Sequence, residues 1–226
     1  MESFDWDSVR SPLILTLQVT LFSTFFATLV GILFAYRMSK ARFIGKSFLD
    51  AVFTLPMVLP PTVLGYYLLV LFGKRGILGS FLLEHFQYSI LFNLHGAVLA
   101  SAIVSFPLVY RSAKASFEDL DPEYEEAAYT LGKSKWATFL LVILPLSWRG
   151  ILAGSMMAYA RGMGEFGATL MIAGNIPEKT QTLALAIYDS VQAGNDTFSL
   201  LLVIVASITC VSVLTLAGIL LKKPHW

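Results

Sequence analysis

Charge is scarce in this sequence: 14% of its 226 residues are Asp, Glu, Lys or Arg, where a soluble domain carries about a quarter. The formal net charge of +1 leaves no broad basic footprint, so nucleic acid is not expected as a partner. A single cysteine, Cys210, sits in an apolar run, which excludes a disulfide framework and a thiolate metal site. The histidines His85, His95 and His225 are scattered, and a metal cluster has little to build on. The opening MESFDWDSVR is acidic ahead of the first apolar run, whereas a secretory leader wants a positive start. That first run is therefore expected to stay as a span. Linkers, low-complexity tracts and internal repeats are also missing.

What the chain has is apolar length. Hydrophobic residues make up 56% of it, and the mean hydropathy is +0.71. A soluble fold of this size could not hide so much apolar surface, but a bilayer can. Stretches of about 20 apolar residues fall at about 13–36, 48–72, 94–110, 148–173 and 198–221. The expectation is an all-α integral membrane protein with about five transmembrane helices in one domain over 11–221. Ile77 to Phe86 is too short to cross and reads as an interfacial or re-entrant piece.

Lys and Arg collect after the first span (Arg37, Lys40, Arg42, Lys46), in the 111–147 loop (Arg111, Lys114, Lys133, Lys135) and at Lys222 and Lys223. With five spans all three groups fall on one side, which the positive-inside bias makes cytoplasmic. The N-terminus is then periplasmic and the C-terminus cytoplasmic, with Lys74 and Arg75 a mild violation.

The loop contains DPEYEEAAYTLGKSKWATFLLVILP, from Asp121 to Pro145. Asp121 suits a helix N-cap, Pro122 the first helical position and Gly132 a left-handed stop. Between them Tyr124, Ala127, Ala128 and Leu131 form one apolar stripe at i, i+3, i+4 and i+7. Two readings of the stripe stand: it presses into a partner's groove, or it packs on the protein's own spans. The tripeptides Gly45-Lys46-Ser47 and Gly132-Lys133-Ser134 are not phosphate loops, because the upstream glycine is replaced by Lys40 in one and Ala127 in the other.

Within the fourth span, Arg161 and Glu165 stand four residues apart, an arrangement that puts both on one face of a continuous helix. Ionisable groups at that depth face protein or a water-filled path. They either neutralise each other to fix packing or serve an anion, for which Arg offers a fork of donors. Gly162, Gly164 and Gly167 allow either close helix approach or local unwinding of the span. In the second span Pro56, Pro60 and Pro61 remove three backbone donors, so a bend, a gate or both are expected there.

Glu126-Ala127-Ala128, then Gly132, then Val142-Ile143-Leu144-Pro145 resemble the EAA motif of binding-protein-dependent ABC importer permeases, with Val142 in place of Ile. Leu55 to Gly79 and Gly164 to Tyr188 are similar to the corresponding stretches of molybdate permeases. The resemblance implies a type I ABC importer permease fold and a homodimer. In it the loop is a cytoplasmic coupling helix gripped by a separate ABC ATPase subunit through Tyr124, Glu126, Ala127, Ala128, Leu131, Gly132, Leu144 and Pro145. ATP and Mg would be bound by that partner, with no cofactor in this chain. A periplasmic molybdate-binding protein would land on the outer loop 174–197, which carries Asn175, Glu178, Lys179 and Asp196 and reads alternatively as a solvated connector, and the oxyanion would cross the bacterial inner membrane near Arg161, Glu165 and the three prolines. Tungstate and sulfate remain alternative cargoes. A secondary carrier or channel, or a membrane-embedded enzyme, are the rival classes.

Overall fold

The computed structural model describes residues 6–221, and all regular structure among them is helical. The lysines Lys222 and Lys223, used above for orientation, lie outside the described residues. The first helix, α1 (Asp7–Lys40), packs along α5 (Leu94–Glu118). A third helix, α8 (Trp148–Met163), lies against both and completes the core.

Small and hydroxyl side chains let these three approach. A Cβ on Gly31 would stand 3.0 Å from Val109 Cγ1, and one on Gly162 would stand 2.9 Å from Ser101 Oγ. Ser101 donates to Ser23 at 2.9 Å and Thr28 to Ser155 at 2.9 Å, tying α1 to its two neighbours. In lipid the hydrophobic effect does not drive helices together, so close packing and such bonds, about 0.6 kcal/mol each, supply the association.

The second expected span is two helices, α2 (Lys46–Val58) and α3 (Pro61–Phe72), meeting at 110°. Pro60 and Pro61 cannot donate to the preceding turn, and Pro61 instead starts α3, with Val63 and Leu64 donating to Pro60 O. Pro56 lies inside α2. Next, α4 (Ile77–Phe86) has ten residues, about 15 Å of helix against a hydrocarbon core of about 30 Å.

Beyond α5 come the loop helix α6 (Pro122–Thr130) and α7 (Lys135–Leu146), which meets α8 at 72°. A π turn over Phe139–Ile143 lies within α7, with Leu144 N–H donating to Phe139 O. It precedes Pro145, which has no N–H to continue an α ladder. Thus Val142 to Pro145, expected in a loop, are helical.

Three further boundaries differ from expectation. The helix expected to end near 110 continues to Glu118. The crossing expected over 148–173 stops at Met163 and resumes as α9 (Gly167–Ala173). The connector expected over 174–197 contains a helix, α10 (Leu183–Gln192), whose first N–H donates to buried Thr16 of α1 at 2.8 Å. The last helix is α11 (Asp196–Leu221). By length and composition α1, α5 and α11 can each cross a bilayer, and the bent pairs α2/α3 and α7/α8 bring the number to five if each is one span.

Candidate coupling surface and membrane-interior ion pair

The loop helix α6 is built from local signals. Asp121 Oδ1 accepts from Glu123 N at 3.0 Å, and Pro122 occupies the first turn. Glu123 and Glu125 follow there, where the helix dipole favours negative charge. At the other end Gly132 adopts φ +75°, Lys133 N–H donates to Ala128 O and Gly132 N–H to Tyr129 O. That pair of bonds satisfies carbonyls the helix would otherwise leave open.

Only one member of the apolar stripe faces inward. Ala128 is 5% exposed, whereas Tyr124 is 53% and Leu131 79% exposed. Ala127 and Glu126 are exposed as well. Further on, Ile143 is buried, Leu144 half-buried and Pro145 exposed. Ala128 therefore seats the helix on its own chain, and the rest of the stripe is open to water or a partner.

A residue not singled out in the sequence fixes the helix laterally. Glu125 accepts from Lys40 at the end of α1 through one oxygen and from Tyr129 OH, at 2.8 Å, through the other. Partial burial raises the Glu125 pKa, but the hydrogen bonds from Lys40 and Tyr129 and the lysine's charge outweigh it, leaving the group below its ordinary value. Tyr129 is pushed up to about 12, by desolvation first and then by the bonded carboxylate. The Glu125-Tyr129 spacing was visible as an i, i+4 pair, but Lys40 lies 85 positions away. Nearby, Asp50 of α2 takes a hydrogen bond from Tyr110 and an ion pair from Lys114 at 2.6 Å, fastening α2 to the end of α5.

Arg161 and Glu165 do meet, with Arg161 Nη1 3.0 Å from Glu165 Oε2. They do not share a continuous helix. Arg161 is in the last turn of α8, while Glu165 follows it in the break. There Glu165 Oε1 accepts from Ala168 N at 2.9 Å, capping α9. The Glu165 side chain is 2% exposed, while the Arg161 side chain is 36% exposed. Oε2 is reached by the arginine's charge without an aligned hydrogen bond. The arrangement pairs a buried carboxylate with a partly exposed guanidinium whose remaining donors have no partner among the described residues.

The two helix breaks touch. A Cβ on Gly167 would stand 3.1 Å from Pro61 Cβ, and one on Gly65 only 2.7 Å from Met171 Cβ and 2.9 Å from Ala168 Cα. Pairing 61 with 167 and 65 with 168 and 171 makes α3 and α9 parallel. Pro60 and Pro61 thus lie next to the segment holding Glu165, while Pro56 sits a turn away in α2. In the 174–197 connector Glu178 adopts φ +63° and Glu178 and Lys179 are exposed.

Known proteins resemble this chain throughout its length. The Bacillus subtilis (strain 168) putative molybdenum transport system permease protein YvgM is 44% identical over 215 residues, 95% of this chain and 94% of that protein. The Escherichia coli (strain K12) molybdenum transport system permease protein ModB is 42% identical over 188 residues, 83% of this chain and 80% of that one. A solved structure of the MetNI methionine ABC transporter in an inward-facing conformation superposes with a TM-score of 0.72 at 16% identity, covering 94% of each chain. That likeness establishes the fold as that of an ABC transporter permease. Residues 27–224 match the profile of one family, and the chain belongs to it: the binding-protein-dependent transport system inner membrane components.

Proposed function

We propose that the chain is the permease subunit of an ATP-driven ABC importer that carries molybdate across the bacterial inner membrane. The observation that carries the cargo is the 44% identity with YvgM across 95% of the chain. Physical chemistry does not separate molybdate from tungstate or sulfate, dianions of similar size and charge, so selectivity is assigned chiefly to an external binding protein.

In this reading two copies of the chain form the pathway on a two-fold axis. A separate ATPase subunit grips the open stripe of Tyr124, Ala127 and Leu131 and holds the ATP and Mg, while this chain holds neither. Gly132 ends the handle, and Glu126, Leu144 and Pro145 border it. The N-terminus is periplasmic and the C-terminus cytoplasmic, as the lysine and arginine bias requires. A periplasmic molybdate-binding protein lands on the connector around Glu178 and Lys179. When the ATPases close on ATP they draw the two handles together. The motion passes through Ala128 and the Glu125–Lys40 contact into α1, and through α7 into α8. The free donors of Arg161 face the oxyanion as it passes, while Glu165 keeps the arginine in place.

The test is to titrate the cognate binding protein with molybdate, tungstate and sulfate, and to purify the chain with its ATPase before and after Leu131→Asp. Tight molybdate binding and loss of the ATPase from the variant support the reading. Preference for sulfate would overturn the cargo, and an ATPase retained at full occupancy would overturn the handle.

A further inference from the structure

A pocket of about 450 Å³ opens where the first span meets the loop helix. Its walls bring together Arg37 and Lys40 of α1, Glu125 and Tyr129 of α6, and Lys135 and Trp136 of α7. Both Glu125 oxygens are already used, one by Lys40 and one by Tyr129. Arg37 and Lys135 make no ion pair among the described residues. The pocket thus keeps two uncompensated positive charges.

Its surroundings are aromatic and then apolar. Tyr36, also in the wall, lies 4.3 Å from Phe139 between ring centroids, and Trp136 lies 6.0 Å from the same ring. One turn before Arg37, Leu33 and Phe34 are exposed, and after Phe139 so are Leu140 and Leu141. Leu33 and Phe34 belong to α1, long and apolar enough to cross a bilayer, and Leu140 and Leu141 to α7, the first arm of the bent α7/α8 pair taken here as one span, which sets these exposed faces against lipid tails. Cations and an indole at the edge of such a surface mark the headgroup level of a bilayer.

We propose that this pocket binds the phosphate of an anionic phospholipid headgroup, its acyl chains running along Leu33, Leu140 and Leu141. A free oxyanion offers the same charge but leaves that apolar exit unused, and two exposed cations alone would hold it weakly in salt. Occupancy requires neither transport nor a particular cargo, so the inference stands apart from the proposed function.

The experiment titrates a fluorescent short-chain phosphatidylglycerol into the full chain purified in neutral detergent, with the subunits it associates with. Saturable binding is expected, with the phosphatidylcholine analogue failing to compete. The double substitution Arg37→Gln with Lys135→Gln should weaken binding about twenty-five-fold, from about five-fold per cation. Lys133→Gln, on the same loop but outside the pocket wall, should leave it unchanged, and Lys135→Arg should retain it. Glycerol phosphate, the headgroup without chains, should bind more than about ten-fold more weakly than the lipid. Equal affinity for glycerol phosphate would make this a free-anion site and overturn the proposal. So would wild-type affinity in a monodisperse double variant, or exclusion of the lipid by the associated subunits, which would assign the pocket to a protein partner.

Discussion

Pro61, which restarts the second span, lies against Gly167, which restarts the fourth, with 3.1 Å between the proline Cβ and the position a Cβ on the glycine would take. Both breaks therefore share one place in the membrane domain, and the Arg161–Glu165 pair links the last turn of α8 to the break before α9. A bend in either helix must be accommodated by the other.

Gly65 is the tightest point of that contact. Gly65→Val would drive branched carbons into Met171 Cβ and Ala168 Cα, already 2.7 and 2.9 Å from a bare Cβ. Overpacking of this kind costs about 1–3 kcal/mol. A lower melting temperature in detergent is expected, with the ATPase still bound because α6 is remote. Wild-type melting would show that α3 and α9 are not packed as described.

The ion pair separates packing from transport. Arg161→Ala alone leaves Glu165 buried without its cation, a change that typically costs about 3–5 kcal/mol. Adding Glu165→Gln removes the buried charge and keeps an acceptor for Ala168 N–H, so the double variant should recover stability. If Arg161 serves the oxyanion, the double variant stays stable and transports poorly. Normal uptake by it would reduce the pair to a packing device.

At Gly132 the backbone demands φ +75° although a side chain would meet nothing within 4 Å. Gly132→Val therefore tests strain alone, about 1–2 kcal/mol, at the end of α6. Loss of ATPase association with an unchanged membrane-domain melting temperature is the expected pattern. Intact association would mean that the helix end does not set the docking geometry.

The Glu125 contact has a pH signature. Its carboxyl titrates below the ordinary value of 4.5, so its stabilisation is fully present above that value and is lost as pH falls through the lower folded value. Tyr129 is the opposite case: its bond is complete below 10 and is lost as pH rises through about 12. Crosslinking of Lys40→Cys to Glu125→Cys would abolish the effect, so the readout is hydrogen exchange of α6 in the unmodified chain. Protection should be flat from about pH 5 to 9 and fall at acid pH. Glu125→Gln should lower protection at neutral pH and flatten the acid fall. An unchanged acid fall in that variant would place the titrating group elsewhere.

The ends of α6 were readable in the sequence because each of its signals is local: Asp121, Pro122 and Gly132 act on their own turn. The apolar stripe was readable too, but its open side was not, since Ala128 alone is covered and that depends on α7. The break at 164–166 was one of two readings that Gly162, Gly164 and Gly167 left open, because the same glycines serve close packing in a continuous helix or unwinding between two half-helices. Glu165 acts as a cap there through a bond to Ala168, three residues on. Helix α10 was missed because its register is set by Thr16, 167 positions away. The Lys40–Glu125 tie and the Asp50 cluster are likewise products of packing that no window of sequence contains.

One measurement bears most directly on the whole account: uptake of labelled molybdate into vesicles containing the chain alone, or the chain with its ATPase and binding protein. Accumulation is expected only in the complete system with ATP and Mg, and it should vanish on Leu131→Asp. Molybdate entering vesicles that hold this chain by itself, without nucleotide, would contradict it.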